Sequence, residues 1–396
     1  MTEATSQAAG QASQGSQRAT TTLTVTGINH ALHDGFTDVI YVLLPIWQTE
    51  FALGYGVLAM LKGIYSGAMA GLQIPAGRIA ERIDGKIVLA LGTLVAAAGY
   101  ALAGLSGGMF GLGLALAVAG AGSSTQHPLA SAAVSRAYGR AARRPLGIYN
   151  FTGDLGKASI PALISLLLVS VSWRHAVLAL GGAGLVVSVC IAVWMPRVGG
   201  GHASASKASV RQGKERGGFY WLLTIGMLDS GVRTGFLTFL PFLLRMKGAS
   251  LPINGFALAL VFVGGAAGKF ACGWLGERMG TVRTVLVTEA ATAALILGVL
   301  LLPLAPVMVL LPALGVMLNG TSSVLYGTVP ELTPSHMTER AFALFYTGAI
   351  GSSASAPVLY GLLGDISGPS VATVATACTA LAICPLTLVL QWHLVE

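Results

Sequence analysis

From about Thr26 onward, apolar runs of roughly 20 residues follow one another, separated by short polar or glycine- and proline-containing breaks. Each run is long enough to cross about 30 Å of hydrocarbon as a helix. Twelve of them fall near residues 26–48, 55–80, 86–106, 109–135, 145–170, 174–196, 218–246, 252–276, 282–303, 306–330, 340–363 and 370–391. The pattern therefore predicts an all-α membrane protein. Residues 1–22 are Ser, Gln, Ala, Thr and Gly with a lone Arg18, and they read as a disordered tail without the apolar stretch of a secretory signal. The one long polar break, Arg197–Gly217, is rich in Gly, Ser, Lys and Arg and lies at mid-chain. It divides the chain into a tail (1–22), an N-terminal six-helix half (23–197), a linker (198–217) and a C-terminal six-helix half (218–396).

The two halves carry the same landmarks at one offset. Pro45 and Pro241, Arg144 and Arg340, and Pro161 and Pro357 are each 196 residues apart. So are the segments Gly77…Glu81-Arg82 and Gly273…Glu277-Arg278. A single offset without gaps marks two parallel repeats, which requires an even number of crossings per half. Two six-helix bundles related by a pseudo-twofold axis satisfy that, the architecture of the major facilitator type, in which the halves rock about a site near the midplane.

Composition sharpens the class. Hydrophobic residues make up 54% of the chain and charged residues 10%, far below the charge of a soluble surface. The net charge of +8 raises the question of nucleic acid, and the placement of the charge answers it. Fifteen Lys and Arg residues fall in the breaks after even-numbered spans, against three (Arg174, Arg245, Lys247) on the opposite side. That asymmetry puts both termini in the cytoplasm and marks the surplus as a topology signal, not a nucleic-acid surface. Cys190, Cys272, Cys378 and Cys384 are scattered in apolar runs without metal spacing, so neither metal nor cofactor is expected.

Ionisable groups inside spans are expensive and call for a reason. In the first span His30, His33, Asp34, Thr37, Asp38 and Tyr41 share one helix face. We expect His30, Asp34 and Asp38 to carry protons, and His33 and Tyr41 to face substrate; the plainer alternative is a polar stripe that glues helices together. Further candidates for the substrate site are Lys62, His127, the Asn150/Asp154/Lys157 face of span five and Asp229/Arg233 in span seven. The alternative for each close pair is a self-neutralised structural ion pair. Glycines 153 and 156 allow span five a close helix approach. Lys269 lies near a span end, where it can snorkel to water, and Glu289 has no evident partner.

The Gly77…Lys86 and Gly273…Arg283 segments resemble the loop signature Gly-x-x-x-Asp-Arg-x-Gly-Arg-Arg of the major facilitator superfamily. Glu81 and Glu277 take its acidic position, and Asp84 stands in the first copy where glycine is usual. Gly77, Glu81, Arg82, Gly273, Glu277 and Arg278 are thus expected to latch the cytoplasmic side. Asn29-His30-Ala-Leu-His33-Asp34, Gly122-Ser-Ser…His127-Pro128 and Val329-Pro-Glu331-Leu-Thr-Pro334 resemble the fosmidomycin-resistance type of efflux protein within that superfamily. The resemblance implies export of a small anionic phosphonate from a bacterium in exchange for protons, with His30, Asp34 and His127 as motif residues. Leu129 replaces the glutamate usual after His-Pro, and Asp154 and Lys157 stand where that subgroup is small and polar.

The expectation is a monomeric, proton-coupled exporter of a small organic anion in a bacterial inner membrane, with protons, the solute and lipid as its partners. Proton-coupled uptake of a carboxylate or phosphorylated metabolite is the nearest alternative. An intramembrane enzyme lacks a nucleophile–base pair here, and a non-transporting sensor is the third reading.

Overall fold

The computed structural model describes residues 2–197, 217–333 and 338–394. Apart from Gly217, the expected linker lies outside the described residues. The helices, in chain order, are α1 (Thr2–Phe51), α2 (Tyr55–Arg82), α3 (Gly85–Leu105), α4 (Met109–Ser123), α5 (Gln126–Tyr138), α6 (Arg143–Leu167) and α7 (Trp173–Trp194). They continue as α8 (Gly218–Met246), α9 (Leu251–Met279), α10 (Thr281–Leu301), α11 (Leu304–Thr328), α12 (Thr338–Ser367) and α13 (Pro369–Gln391). There is no strand among the described residues. With α4 and α5 counted as one interrupted element, the twelve helices fall where the apolar runs predict them.

The expected span at 109–135 is instead two helices. Pro128 has no N–H to give and crowds the carbonyl one turn back, so the helix breaks at Ser124 and Thr125. Their hydroxyls turn onto local carbonyls, Ser124 on Ala121 at 2.7 Å and Thr125 on Gly122 at 3.1 Å. A second difference concerns residues 2–22, expected to be disordered. They continue α1 as helix, in keeping with their alanine and glutamine content.

Eight described helices (α2, α3, α7 and α9–α13) are long and apolar enough to cross a membrane by composition alone. The four elements outside that set, α1, α4–α5, α6 and α8, carry His30, His33, Asp34, Asp38, Tyr41, His127, Asn150, Asp154, Lys157, Asp229 and Arg233, whereas Lys62, Lys269 and Glu289 lie on α2, α9 and α10. The boundaries keep the repeat: α2 and α9 start at 55 and 251, α3 and α10 at 85 and 281, α7 and α13 at 173 and 369, each pair 196 residues apart.

The chain forms two compact units. One comprises residues 1–37, 68–157 and 174–206. Its core joins Val25, Leu89, Leu129, Val134, Tyr149 and Ile191. Here α6 meets α1 at glycines, as the sequence leads one to expect. A methyl group at Gly156 would stand 1.9 Å from the Ala31 carbonyl oxygen, and one at Gly153 would touch His30 and Asp34 at 2.7 Å. Association between apolar helices in lipid gains little from hydrophobicity, so such close approaches supply the packing.

The second unit comprises residues 38–67, 158–173 and 207–396, built around Leu222, Ile225, Val285, Leu325, Phe345 and Ile383. In it α9 and α11 meet at Gly264 and Gly315, where an added methyl would lie 2.0 Å from a carbonyl of the facing helix. The Asp365 carboxylate, near the end of α12, accepts the backbone N–H of Tyr55 at 2.5 Å and of Gly56 at 3.0 Å, which caps the start of α2. Arg245 of α8 donates to the Pro45 carbonyl at 3.2 Å and to the Thr49 hydroxyl at 3.3 Å.

Gly156→Ala should lower the thermal midpoint of the detergent-purified protein, at a cost of about 1–3 kcal/mol for overpacking. Gly147→Ala, on the same helix with open space around it, should leave the midpoint unchanged or raised. Equal shifts in tryptophan-fluorescence melts would refute the α1–α6 approach.

Candidate functional site

Asp34 sits at the centre of the first polar cluster, its side chain 7% exposed. One carboxylate oxygen (Oδ2) faces Lys157 Nζ at 3.3 Å and His30 Nε2 at 3.5 Å. The other (Oδ1) faces His33 Nδ1 at 3.1 Å and His127 Nε2 at 3.9 Å. Four helices contribute: α1 gives His30, His33 and Asp34, α5 gives His127, and α6 gives Lys157, while α4 holds His33 through its last carbonyl.

Each buried imidazole is fixed by a main-chain oxygen. His30 donates Nδ1–H to the Tyr149 carbonyl at 2.8 Å, and its ring stacks on Tyr149 at 4.2 Å. His33 donates Nε2–H to the Ser123 carbonyl at 3.1 Å. That carbonyl is available because the Pro128 break ends α4 at Ser123, and the last carbonyls of a helix lack intrahelical donors. A neutral imidazole has one N–H. Both rings therefore present their second nitrogen to Asp34, and a hydrogen bond across either gap needs one further proton. This is geometry for holding an exchangeable proton.

A metal is the other candidate occupant. Ligand atoms of His30, Asp34 and His127 lie within 4.8 Å of one another, close enough to share an ion. Lys157 already places a fixed ammonium on the same carboxylate, which disfavours a second, divalent cation there.

Other expected residues divide. Asn150 is exposed, and its neighbour Tyr149 is the residue of α6 that reaches His30. Asp154 is half-buried, one turn before Lys157. Gln126, outside the polar faces that spacing picks out, donates to the Tyr149 hydroxyl at 3.0 Å. Its position directly before His127 was the available signal.

Asp38, Tyr41 and Lys62 gather in the second unit, all buried. The Lys62 ammonium lies over the Tyr41 ring at 5.0 Å and the Tyr65 ring at 5.4 Å, an aromatic seat for a cation. Asp38 and Arg233 both act electrostatically on the Tyr41 hydroxyl. The expected Asp229–Arg233 pair is different in detail. Arg233 donates to the Ser230 hydroxyl at 3.4 Å, while buried Asp229 hydrogen-bonds Glu289. Glu289, expected to lack a partner, thus has two, Asp229 and Thr321.

At the latch segments Glu81, Arg82, Glu277 and Arg278 are exposed, and neither glutamate forms an ion pair among the described residues. Near the first of these segments, Asp84 forms an ion pair with Arg197 at 3.5 Å. Asp84 also caps α3 by accepting the Lys86 N–H at 2.9 Å. Its repeat mate Gly280 has φ 78°, a conformation that suits glycine and not aspartate. Arg278 stacks on Trp274 at 4.3 Å.

The chain is similar to several known proteins. The fosmidomycin resistance protein of Escherichia coli (strain K12) is 26% identical over 141 residues, 36% of this chain and 35% of that protein. Monocarboxylate transporter 12 of Mus musculus is 29% identical over 162 residues, 40% of this chain and 33% of that protein. The matches thus span about a third of either relative. Among solved structures, a bacterial homologue of the human lysosomal transporter Spinster, inward-facing and occupied, superposes with TM-score 0.76 at 15% identity, over 94% of this chain and 96% of that one. The nucleoside transporter NupG superposes with TM-score 0.79 at 10% identity, over 94% and 99%. The family model of the Major Facilitator Superfamily matches residues 26–218 and 222–394, nearly the whole chain after the N-terminal segment. The chain belongs to the Major Facilitator Superfamily and is a multi-pass membrane transporter, not an enzyme.

Proposed function

We infer that this transporter moves a small organic anion, phosphonate- or carboxylate-like, in a cycle coupled to protons at Asp34. The carrying observation is the double imidazole contact on one buried carboxylate. His30 and His33 spend their N–H groups on main-chain carbonyls and turn bare nitrogens toward Asp34. A proton arriving at Asp34 neutralises the partner of Lys157. The ammonium then suits an anion, and in the other unit so does the permanently charged Arg233. Arginine matches a carboxylate or phosphonate through two parallel hydrogen bonds.

The sign of coupling follows from the Lys157–Asp34 pair. If protonation is what releases Lys157, proton and anion bind together, and the geometry favours cotransport. Exchange, with export of the anion, is the alternative that the resemblance of the His30/Asp34 and His127-Pro128 motifs implies, and a relative named for fosmidomycin resistance fits it. It requires the anion to be held by Arg233 and Lys62 while Asp34 is charged. Two six-helix bundles, residues 23–197 and 218–396, rocking about these groups would give alternating access, and the common 196-residue offset of the helix boundaries supports that arrangement. We place both termini in the cytoplasm of a bacterial inner membrane, on the charge asymmetry of the loops.

Topology is checked in a cysteine-free background. A cysteine at Gly107, between α3 and α4, should react with an impermeant maleimide added to whole cells. One at Ile83, between α2 and α3, should react only after lysis; the reverse pattern would invert the orientation.

Coupling and direction are tested together. Expression in an efflux-deficient bacterium should raise the inhibitory concentration of fosmidomycin several-fold if the chain exports phosphonates, and Asp34→Asn should abolish the gain. No protection, with pH-driven uptake of lactate into proteoliposomes, would establish cotransport instead. In either case Asp34→Asn should lose accumulation but keep counterflow. Accumulation driven by a pH gradient in that variant would remove Asp34 from the mechanism.

Arg233→Lys keeps the charge and loses the planar fork, so apparent affinity for the transported anion should fall about tenfold, equivalent to about 1.4 kcal/mol. Arg233→Gln should cost more. Unchanged half-saturation in both would show that the substrate does not meet Arg233.

A further inference from the structure

The geometry points to a second proton-binding site, formed by Asp229 of α8 and Glu289 of α10 in the unit that does not contain Asp34. It goes beyond the proposed role of Asp34 and stands whether or not Asp34 carries a proton.

Both carboxyl groups are buried, Asp229 at 3% and Glu289 at 2% exposure, and they hydrogen-bond one another. Two ionised carboxylates are acceptors only, so that bond exists only when one carboxyl carries a proton. A second observation points the same way. The Oδ2 atom of Asp229 is buried and receives no donor from the described residues, the condition that a proton on the facing acid relieves.

From α11, the Thr321 hydroxyl bonds Glu289 and lies 2.9 Å from the Thr288 hydroxyl of α10. The Thr321 hydroxyl donates to Thr288, and Thr288 to the Thr284 carbonyl at 2.9 Å, so the hydrogen between Glu289 and Asp229 is an added proton. Arg233, one turn along α8, is the cation that acts on both acids. Tyr326 of α11 lies within electrostatic reach of Asp229, and Cys384 of α13 within reach of Glu289. With Arg233 as counter-charge, one ionised and one protonated carboxyl leave the group neutral overall. Losing the proton would leave two negative charges against one positive in a low-dielectric interior.

Proton uptake forms an O–H bond on the pair and breaks one in the hydronium ion that delivers the proton. Release during the cycle returns the proton to water and leaves a net negative charge beside Arg233. The site can therefore add a second proton to each turnover, and it ties that proton to the guanidinium expected to meet the anion.

Infrared difference spectroscopy of the full chain in nanodiscs reads the pair directly through the carboxylic C=O stretch, without any substrate. At neutral pH the wild type should show a protonated carboxyl band that shifts in D2O. Glu289→Gln preserves a donor toward Asp229 and should remove the band; Asp229→Asn should remove it as well, and Asp34→Asn should not remove it. A band that survives both Glu289→Gln and Asp229→Asn overturns the assignment. A band lost in both that never shifts in D2O marks a sealed structural proton and overturns the carrier role. If Glu289→Gln fails to fold, Asp229→Asn alone decides the assignment.

Discussion

Hydrocarbon offers a polar group no partner, and the organisation of this chain follows from that constraint. Backbone N–H and C=O groups must be satisfied inside each segment, so the described residues form helices without a strand. The same rule governs side chains. Of the clustered ionisable groups, His30, His33, Asp34, Asp38, His127, Lys157, Asp229 and Arg233 lie on helices that fail the apolar criterion, and Lys62 and Glu289 on two that meet it. Asp34 is met by an ammonium and three imidazoles, and Asp229 by a second carboxyl. Leucines on the outer surface, such as Leu91, Leu105 and Leu114, stay exposed because lipid solvates them.

The clusters depend on local backbone events as much as on charge. Pro128 breaks a helix, the break leaves the Ser123 carbonyl without an intrahelical donor, and His33 supplies one. That bond fixes which imidazole nitrogen faces Asp34. Gly153 and Gly156 act in the same direction. Without side chains they let α6 come close enough to α1 for the Tyr149 carbonyl to take His30 and for Lys157 to reach Asp34. Position in sequence thus becomes protonation chemistry through a proline and two glycines.

The spans were legible because a run of about 20 apolar residues has few other uses, and the repeat because six anchors share one offset. The α1 face was legible in part. His30, His33 and Asp34 do share a site, whereas Asp38 and Tyr41, on the same stripe, meet Lys62 and Arg233 in the other unit. The stripe from His30 to Tyr41 spans twelve residues, about 16 Å at 1.5 Å per step, so its two ends touch different neighbours. Tyr149 was hidden because helical spacing identifies faces only to within one residue. Glu289 was hidden for a deeper reason. Its partners lie 60 and 32 positions away on other helices, and spacing along a single helix carries no trace of them.

The repeat clarifies how such distant partners come to meet. Asp229 occupies the position 196 residues after His33, and Glu289 the position 196 after Thr93. In the first unit His33 and Thr93 line one small cavity, and in the second Asp229 and Glu289 hydrogen-bond. The scaffold brings the same two positions together twice, once on α1 and α3 and once on α8 and α10. The side chains placed there differ. The first copy pairs an imidazole with a hydroxyl and sets its carboxylate one residue later, at Asp34, where Lys157 balances it. The second copy puts carboxyls at both positions, and its nearby cation, Arg233, serves two acids at once. One guanidinium cannot neutralise two ionised carboxylates, whereas one guanidinium and one proton can. Repetition set the distance between the two positions, and the residues chosen there make a proton part of the site.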